Sequence, residues 1–230
     1  MSCDRLVLNS PHNPTGHVAT PAELQLVAEV CKAHDLLAVS DEVYEHCVFP
    51  SALSAPPRHL QLAAEPGMRE RTITIGSGGK LFALTGWRVA WAYGPAALIQ
   101  PLSRSHTHLT FSAPTPLQAG IAAALDVEDG LDEVPVLFGG NWQLLADALR
   151  EGTSIGSICE AQGGYFLVAE TDGSSDVDFC RRLAEGKGVV CTPMSVFYSG
   201  EPPAEPCRLV RFTVCKSRDY IQRACAALRS

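Results

Sequence analysis

The segment that most constrains this chain is Leu36 to Ser40 (LLAVS), apolar without alternation and followed directly by Asp41. A continuous apolar run of this length reads as a parallel strand covered on both faces. A helix precedes it. Thr20 stands at the N-cap, Pro21 at the first helical position and Glu23 reaches back to the cap. Leu24, Val27, Val30, Cys31 and His34 then recur at helical spacing and predict one buried face. Further upstream, Arg5 to Asn9 (RLVLN) is a second short apolar run, stopped at Ser10 to Gly16 where two prolines and a glycine forbid continuation.

The same signals continue through the first half. Thr72 to Gly76 (TITIG) and Trp87 to Tyr93 (WRVAWAY) read as strands around the glycine-rich Ser77 to Lys80, and Thr115, Pro116 and Gln118 repeat the helix-start pattern before Leu117 to Leu125. This is an α/β sheet domain whose polar residues gather at strand ends, where ligands bind in such sheets. From about Leu131 the character changes. A helix over Asn141 to Arg150 is interrupted upstream by Pro135, Gly139 and Gly140 and ends at Gly152. Strands at Gly164 to Glu170, Gly188 to Cys191 and Arg208 to Cys215 alternate with helices at Val177 to Glu185 and Arg218 to Leu228. The pattern predicts an α/β sheet domain over residues 1–130 and a smaller α+β domain over 131–230.

Charge and composition exclude several classes. A formal net charge of -7, with no Lys/Arg run, argues against a nucleic-acid partner, since that affinity comes from cations neutralising phosphates. No apolar run reaches the roughly 18 residues of a membrane span. The nine cysteines are scattered and never form a CxxC pair, which suggests buried thiols rather than a zinc site or a disulfide framework. No metal is expected.

The chemistry-bearing residues lie in four places. Lys80 follows a glycine pair in an apolar setting of Leu81, Phe82, Leu84 and Trp87, unusual for a solvated lysine, and Arg88 lies eight residues on. A nucleotide loop at Gly76 to Lys80 fails because Leu81 stands where Ser or Thr, or a third glycine, would be required. Asp41 ends a strand, with Tyr44 three residues later; a turn or N-cap aspartate is the plainer alternative. Asn13 opens an Asn-Pro turn at the end of the preceding strand. Arg211 shares one strand face with Leu209 and Thr213, while Val210, Phe212 and Val214 share the other; an arginine on an edge strand is its alternative.

In order and spacing, Asn13-Pro14-Thr15-Gly16, Asp41-Glu42-Val43-Tyr44, Ser77 to Trp91 and Val210-Arg211-Phe212 resemble the landmarks of the class I and II aminotransferases, fold-type I pyridoxal phosphate enzymes. Ser10 to Gly16, Glu65 to Lys80, Gly163 to Leu167 and Ser195 to Ser199 most resemble the branch of kynurenine aminotransferase, glutamine transaminase K and cysteine-S-conjugate β-lyase. The resemblance implies an incomplete, mostly parallel large-domain sheet with helices on both faces, followed by a small α+β domain. The implied cofactor is pyridoxal 5'-phosphate. Lys80 would form its Schiff base and move the substrate α-proton. Asp41 would face the ring nitrogen, a pairing worth on the order of 4 kcal/mol at about 4 Å and an effective dielectric near 20. Tyr44 and Asn13 would hydrogen-bond the phenolic oxygen, and Ser77 and Arg88 would hold the phosphate. Arg211, with Asn13, would clamp the substrate carboxylate. Gly163, Gly164, Tyr165 and Phe166 would line the small-domain side, and Phe197 and Tyr198 would shape a side-chain pocket.

The implied activity is transamination between an aromatic or glutamine-like, kynurenine-type amino acid and a 2-oxo acid. β-Elimination on cysteine conjugates and a non-catalytic interaction module stay open as alternatives. By the same resemblance, about the first two-fifths of a full-length relative has no counterpart here. The chain alone is therefore expected to bind cofactor weakly and to expose sheet edges beside the strands starting at Leu6 and Leu36. A homodimer is expected of the full-length protein, in the cytoplasm with mitochondria left open.

Overall fold

The structure, a computed structural model, describes residues 4–50, 58–127, 131, 133–199 and 205–230. Cys3 and residue 130, at the expected domain boundary, lie outside them. The chain forms two compact units, one of Met1–His12 with Val18–Pro135 and one of Asn13–His17 with Val136–Ser230.

The first unit holds a four-stranded sheet in the order β1 (Arg5–Asn9), β2 (Leu37–Asp41), β3 (Thr72–Ser77), β4 (Ala90–Tyr93). The first three strands are parallel and β4 is antiparallel to β3. Between β1 and β2 runs α1 (Pro21–Ala33), started by the expected capping box: Thr20 N donates to Glu23 Oε2 at 2.7 Å and Glu23 N to Thr20 Oγ1 at 3.3 Å. Its buried stripe is Leu24, Ala28 and Cys31, packed with Leu36, Ala38, Leu62 and Met68. Val30 and His34, expected on that stripe, are exposed. Val30 sits about 120° around the helix from Leu24 at 3.6 residues per turn, and His34 is the C-cap.

Leu36 to Ser40 is a strand, shifted by one residue, but it is not covered on both faces. Ala38 and Ser40 are buried, whereas Leu37 is exposed and Val39 half-buried. The register sets Val7 beside Val39 on this open face, and Val7 is 71% exposed. The expected strand Trp87 to Tyr93 is shortened to Ala90–Tyr93, because Thr85–Trp87 wind into a 3₁₀ turn and Arg88 takes a left-handed conformation (φ 57°, ψ 34°). Between β3 and β4 lies α2 (Gly78–Leu81).

After β4 comes α3 (Ala96–Leu109), absent from the sequence reading because Pro101 and several Ser, Thr and His residues obscure its periodicity. Next, α4 (Thr115–Leu125) starts one residue earlier than the Thr115 cap implied. Pro114 is the N-cap, and Gln118 Nε2 reaches back to Ala113 O at 2.7 Å.

The helix α5 (Glu133–Gly152) runs unbroken through Pro135, Gly139 and Gly140, against the expected interruption. Pro135 falls in its first turn, where a missing N–H costs nothing. In the second unit α5 buries Phe138, Trp142, Leu145 and Leu149. The unit's antiparallel sheet has the order β5 (Phe166–Glu170), β7 (Leu209–Thr213), β6 (Thr192–Pro193), so β7 is central. Two further helices are α6 (Asp176–Lys187), with Ser175 as its N-cap, and α7 (Arg218–Arg229). The strand expected at Gly188 to Cys191 is displaced to Thr192–Pro193, because Gly188 (φ 66°) still belongs to the left-handed cap of α6. Buried Asn141 of α5 donates to Val214 O at 2.9 Å and Lys216 O at 2.8 Å, fixing the end of β7. Among the described residues no helix is long and apolar enough to cross a membrane.

Candidate active site

In the first unit, parallel pairing brings the C-terminal ends of β2 and β3 to one edge of the sheet, where Asp41 pairs with Ile75 and Glu42 N donates to Ile75 O at 3.0 Å. Asp41 is the last residue of β2. Its carbonyl accepts from Ser10 N at 3.1 Å and from Asn9 Nδ2 at 3.0 Å, and its Oδ1 accepts from Val43 N at 3.4 Å. The chain then folds through turns closed by Glu45 N to Glu42 O and Cys47 N to Tyr44 O, both 2.8 Å, which bury Tyr44.

The neighbouring strand delivers Ser77 and Lys80. Ser77 ends β3 opposite Ala90, and Lys80 follows on α2, half-buried, with Nζ 5.4 Å from the centroid of the Tyr44 ring. This is a cation–π distance and sets the amine against an aromatic wall rather than in a solvated loop. Gly78 makes the tight passage possible, since a Cβ there would lie 2.7 Å from Ile121 Cγ2. Arg88 is exposed, with Nη1 donating to Thr85 O at 3.3 Å.

Beneath the Asp41 to Tyr44 turn lies a polar group that the sequence reading missed. Buried Glu42 shares a 2.7 Å hydrogen bond with His59 Nε2 and accepts from Ser40 Oγ at 2.7 Å. Glu42, Glu45 and His59 bring possible ligand atoms within 4.8 Å of one another, the one such group of three among the described residues. Burial, opposed by His46 and His59 and aided by the Glu42 charge, pushes the Glu45 carboxyl above its ordinary value of 4.5. The buried polar residue inside the Asp41-Glu42 motif was the available signal.

In the second unit, Arg211 lies on central β7 and not on an edge. The strand faces divide as the alternation predicted, with Val210, Phe212 and Val214 buried. The guanidinium carbon of Arg211 is 4.1 Å from the Phe166 ring centroid and 4.6 Å from that of Phe197, so rings stack on the cation. Its Nη1 donates to Asn13 Oδ1 at 3.2 Å. Asn13 does not end the preceding strand. β1 stops at Asn9, and Asn13 opens the turn that follows. That turn is tied in by Gln162 N donating to Gly16 O at 2.8 Å. Phe197 and Tyr198, offered as pocket residues or core, are both exposed, and Phe197 serves as a platform for Arg211.

The first unit thus offers an amine beside an aromatic ring, a carboxylate at a strand end, a phenol, a hydroxyl and an arginine. That donor set fits a small molecule carrying a carbonyl carbon, a basic ring nitrogen, a phenolic oxygen and a phosphate. Residues 2–228 match the family described as aminotransferase class I and II. The chain belongs to that family. Class I and II aminotransferases depend on pyridoxal phosphate, the molecule with those four features.

Among curated members of the family, the chain is 40% identical over 232 residues to a probable N-succinyldiaminopimelate aminotransferase DapC of Mycobacterium tuberculosis, covering 95% of this chain and 56% of that protein. It is 35% identical over 244 residues to human kynurenine–oxoglutarate transaminase 1, covering 97% of this chain and 57% of that protein. The solved structure of N-succinyldiaminopimelate aminotransferase from Mycobacterium tuberculosis superposes with a TM-score of 0.86 at 40% identity, over 98% of this chain and 57% of that one. The chain therefore spans little more than half the length of the aminotransferases it matches.

Proposed function

We propose that Lys80 carries pyridoxal phosphate and that the protein transfers an amino group from a 2-amino acid to a 2-oxo acid. The observation that carries this reading is the half-buried Lys80 amine facing Tyr44 on the sheet edge where Asp41 ends β2. When bound, pyridoxal phosphate withdraws electron density from the α-carbon of an attached amino acid.

The chain's residues supply the rest. The Lys80 amine would hold the cofactor through its carbonyl carbon and, when free, would serve as the base for the proton on the substrate α-carbon. The Asp41 carboxylate would keep a proton on the ring nitrogen, and Val43 N donates to its Oδ1 at 3.4 Å. Tyr44 would donate to the phenolic oxygen, and Asn13 is a further donor in this reading. Ser77 and Arg88 would bind the phosphate, the arginine through its fixed fork of donors. Arg211 binds the substrate carboxylate in the plane of its guanidinium. The Phe166 and Phe197 rings, with centroids 4.1 and 4.6 Å from its guanidinium carbon, support the cation there.

For the donor, the reading is an aromatic or glutamine-like amino acid, supported by identities of 32–35% to several kynurenine–oxoglutarate transaminases. The 40% identity to N-succinyldiaminopimelate aminotransferase favours a second donor, N-succinyldiaminopimelate, whose distal carboxylate would need a further cation. Dimerisation as a homodimer is part of the same reading.

The test is amino-group transfer to 2-oxoglutarate from kynurenine, glutamine, phenylalanine and N-succinyldiaminopimelate, in wild type and Lys80→Ala. Transfer from one of these donors that is lost in Lys80→Ala upholds the reading. Wild-type turnover that survives in the variant would sink it.

A further inference from the structure

We propose that Cys180 and Cys191 form a paired-thiol modification site, which closes to a disulfide when the protein meets a peroxide. The two Sγ atoms lie 3.2 Å apart. Cys180 sits half-buried on α6 and Cys191 is buried immediately before β6. Gly188, in the left-handed conformation that favours glycine, ends α6 and turns the chain back so that Cys191 returns beside the helix. A disulfide needs about 2.05 Å between the sulfurs, so closure requires an approach of roughly 1.1 Å, within reach of side-chain rotation. The fold has already made the contact that the bond would lock.

The position gives the bond a consequence. Thr192, next to Cys191, pairs with Arg211 across the sheet. At the start of α6, Asp176 Oδ2 accepts from Ser195 N at 2.7 Å, holding the segment that carries Phe197 onto Arg211. A Cys180–Cys191 bond would therefore tie α6 covalently to the strand beside Arg211, on the side away from β5.

The chemistry balances with a hydroperoxide as the oxidant. The more open thiol, Cys180, attacks the peroxide as its thiolate. The O–O bond breaks, an S–O bond forms, and an alcohol or water leaves, with Cys180 oxidised to its sulfenic acid. The Cys191 sulfur then attacks the Cys180 sulfur, the S–O bond breaks, and water leaves. Overall the two thiols give up two electrons to the peroxide. Burial pushes both thiols up from 9.0, so little thiolate is present at neutral pH and the rate of closure rises as pH increases.

The experiment treats the 230-residue chain with hydrogen peroxide, blocks remaining thiols with N-ethylmaleimide and maps tryptic peptides by mass. Trypsin cuts at Arg150, Arg181, Lys187 and Arg208, so Cys180 falls on one peptide with Cys159 and Cys191 on another with Cys207, and fragmentation of the linked pair in the mass spectrometer assigns which sulfurs are bonded. The proposal expects a linked Cys180–Cys191 peptide about 2 Da below the sum of its two parts, abolished by dithiothreitol. It also expects a higher melting temperature for oxidised than for reduced protein, a difference lost in Cys180→Ser. Recovery of both cysteines as maleimide adducts after peroxide would overturn it. So would Cys180 found as a sulfinic acid or bonded elsewhere. Since the peptide map is made on wild type, it decides even if the serine variant does not fold.

Discussion

Replacing Gly16 by alanine separates two physical effects within the second unit. Gly16 has φ +75°, and a Cβ there would lie 2.4 Å from Ala161 Cβ and 2.6 Å from Gly163 O. The left-handed backbone costs a residue with a Cβ roughly 1–2 kcal/mol. Both contacts are far inside van der Waals distance and one is to backbone, so the neighbours must move, at about 1–3 kcal/mol. The sum is about 2–5 kcal/mol, a large share of the typical 5–15 kcal/mol of a folded domain. Gly164 is the internal control: its φ is +82°, yet nothing lies within 4 Å of its Cβ position. Gly164→Ala should show the backbone cost alone. Urea unfolding followed by circular dichroism reads both. With a slope of about 1–3 kcal/mol per molar urea, Gly16→Ala should lower the midpoint by about 1–2 M, and Gly164→Ala by about half as much. Equal midpoints for the two variants would refute the claim that the Asn13 to Gly16 turn is packed against residues 161–163.

Two further substitutions probe the site. Arg211→Lys keeps the charge but loses stacking on Phe166 and Phe197, at about 0.5–1 kcal/mol each, and one charge-assisted hydrogen bond, at about 1.5–3 kcal/mol. The stacking is present with or without substrate, so affinity for a carboxylate substrate, measured by titration, reads the lost hydrogen bond and should fall roughly 10-fold or more, while the cofactor spectrum stays as in wild type. For Glu45, folded and unfolded states titrate differently. Burial and the Glu42 charge raise its folded pKa above 4.5, so the folded state holds the proton to higher pH than the unfolded chain. Stability from this group is full below about 4.5 and is lost as pH rises through the folded pKa. Glu45→Gln should remove that loss and be more stable than wild type at neutral pH in chemical denaturation; lower stability there would contradict the sign.

What the sequence revealed and what it hid have physical causes. Thr20, Pro21 and Glu23 act locally, so the start of α1 could be read outright, as could the alternation along β7 and the Asp41 strand end. The interruption expected at Pro135, Gly139 and Gly140 failed because position within a helix matters. A proline in the first turn breaks nothing, and a glycine costs a helix only about 1 kcal/mol against alanine, too little to break one that buries Phe138, Trp142, Leu145 and Leu149. The left-handed Arg88 cut short a strand whose composition was otherwise suitable. Long-range partners were out of reach. Phe166 and Phe197 meet Arg211 from 45 and 14 residues away in sequence, and His59 reaches Glu42 over 17 residues. Neither pairing leaves a periodic trace.

The central claim is that the Lys80 amine, beside Tyr44 and on the edge shared with Asp41, is the covalent attachment point for pyridoxal phosphate. Borohydride reduction of protein incubated with the cofactor, followed by peptide mapping, tests it directly. The account predicts one saturable label, on the peptide containing Lys80, with loss of the associated visible absorption in Lys80→Ala. A label spread over Lys32, Lys187 and Lys216, or undiminished in Lys80→Ala, would contradict it.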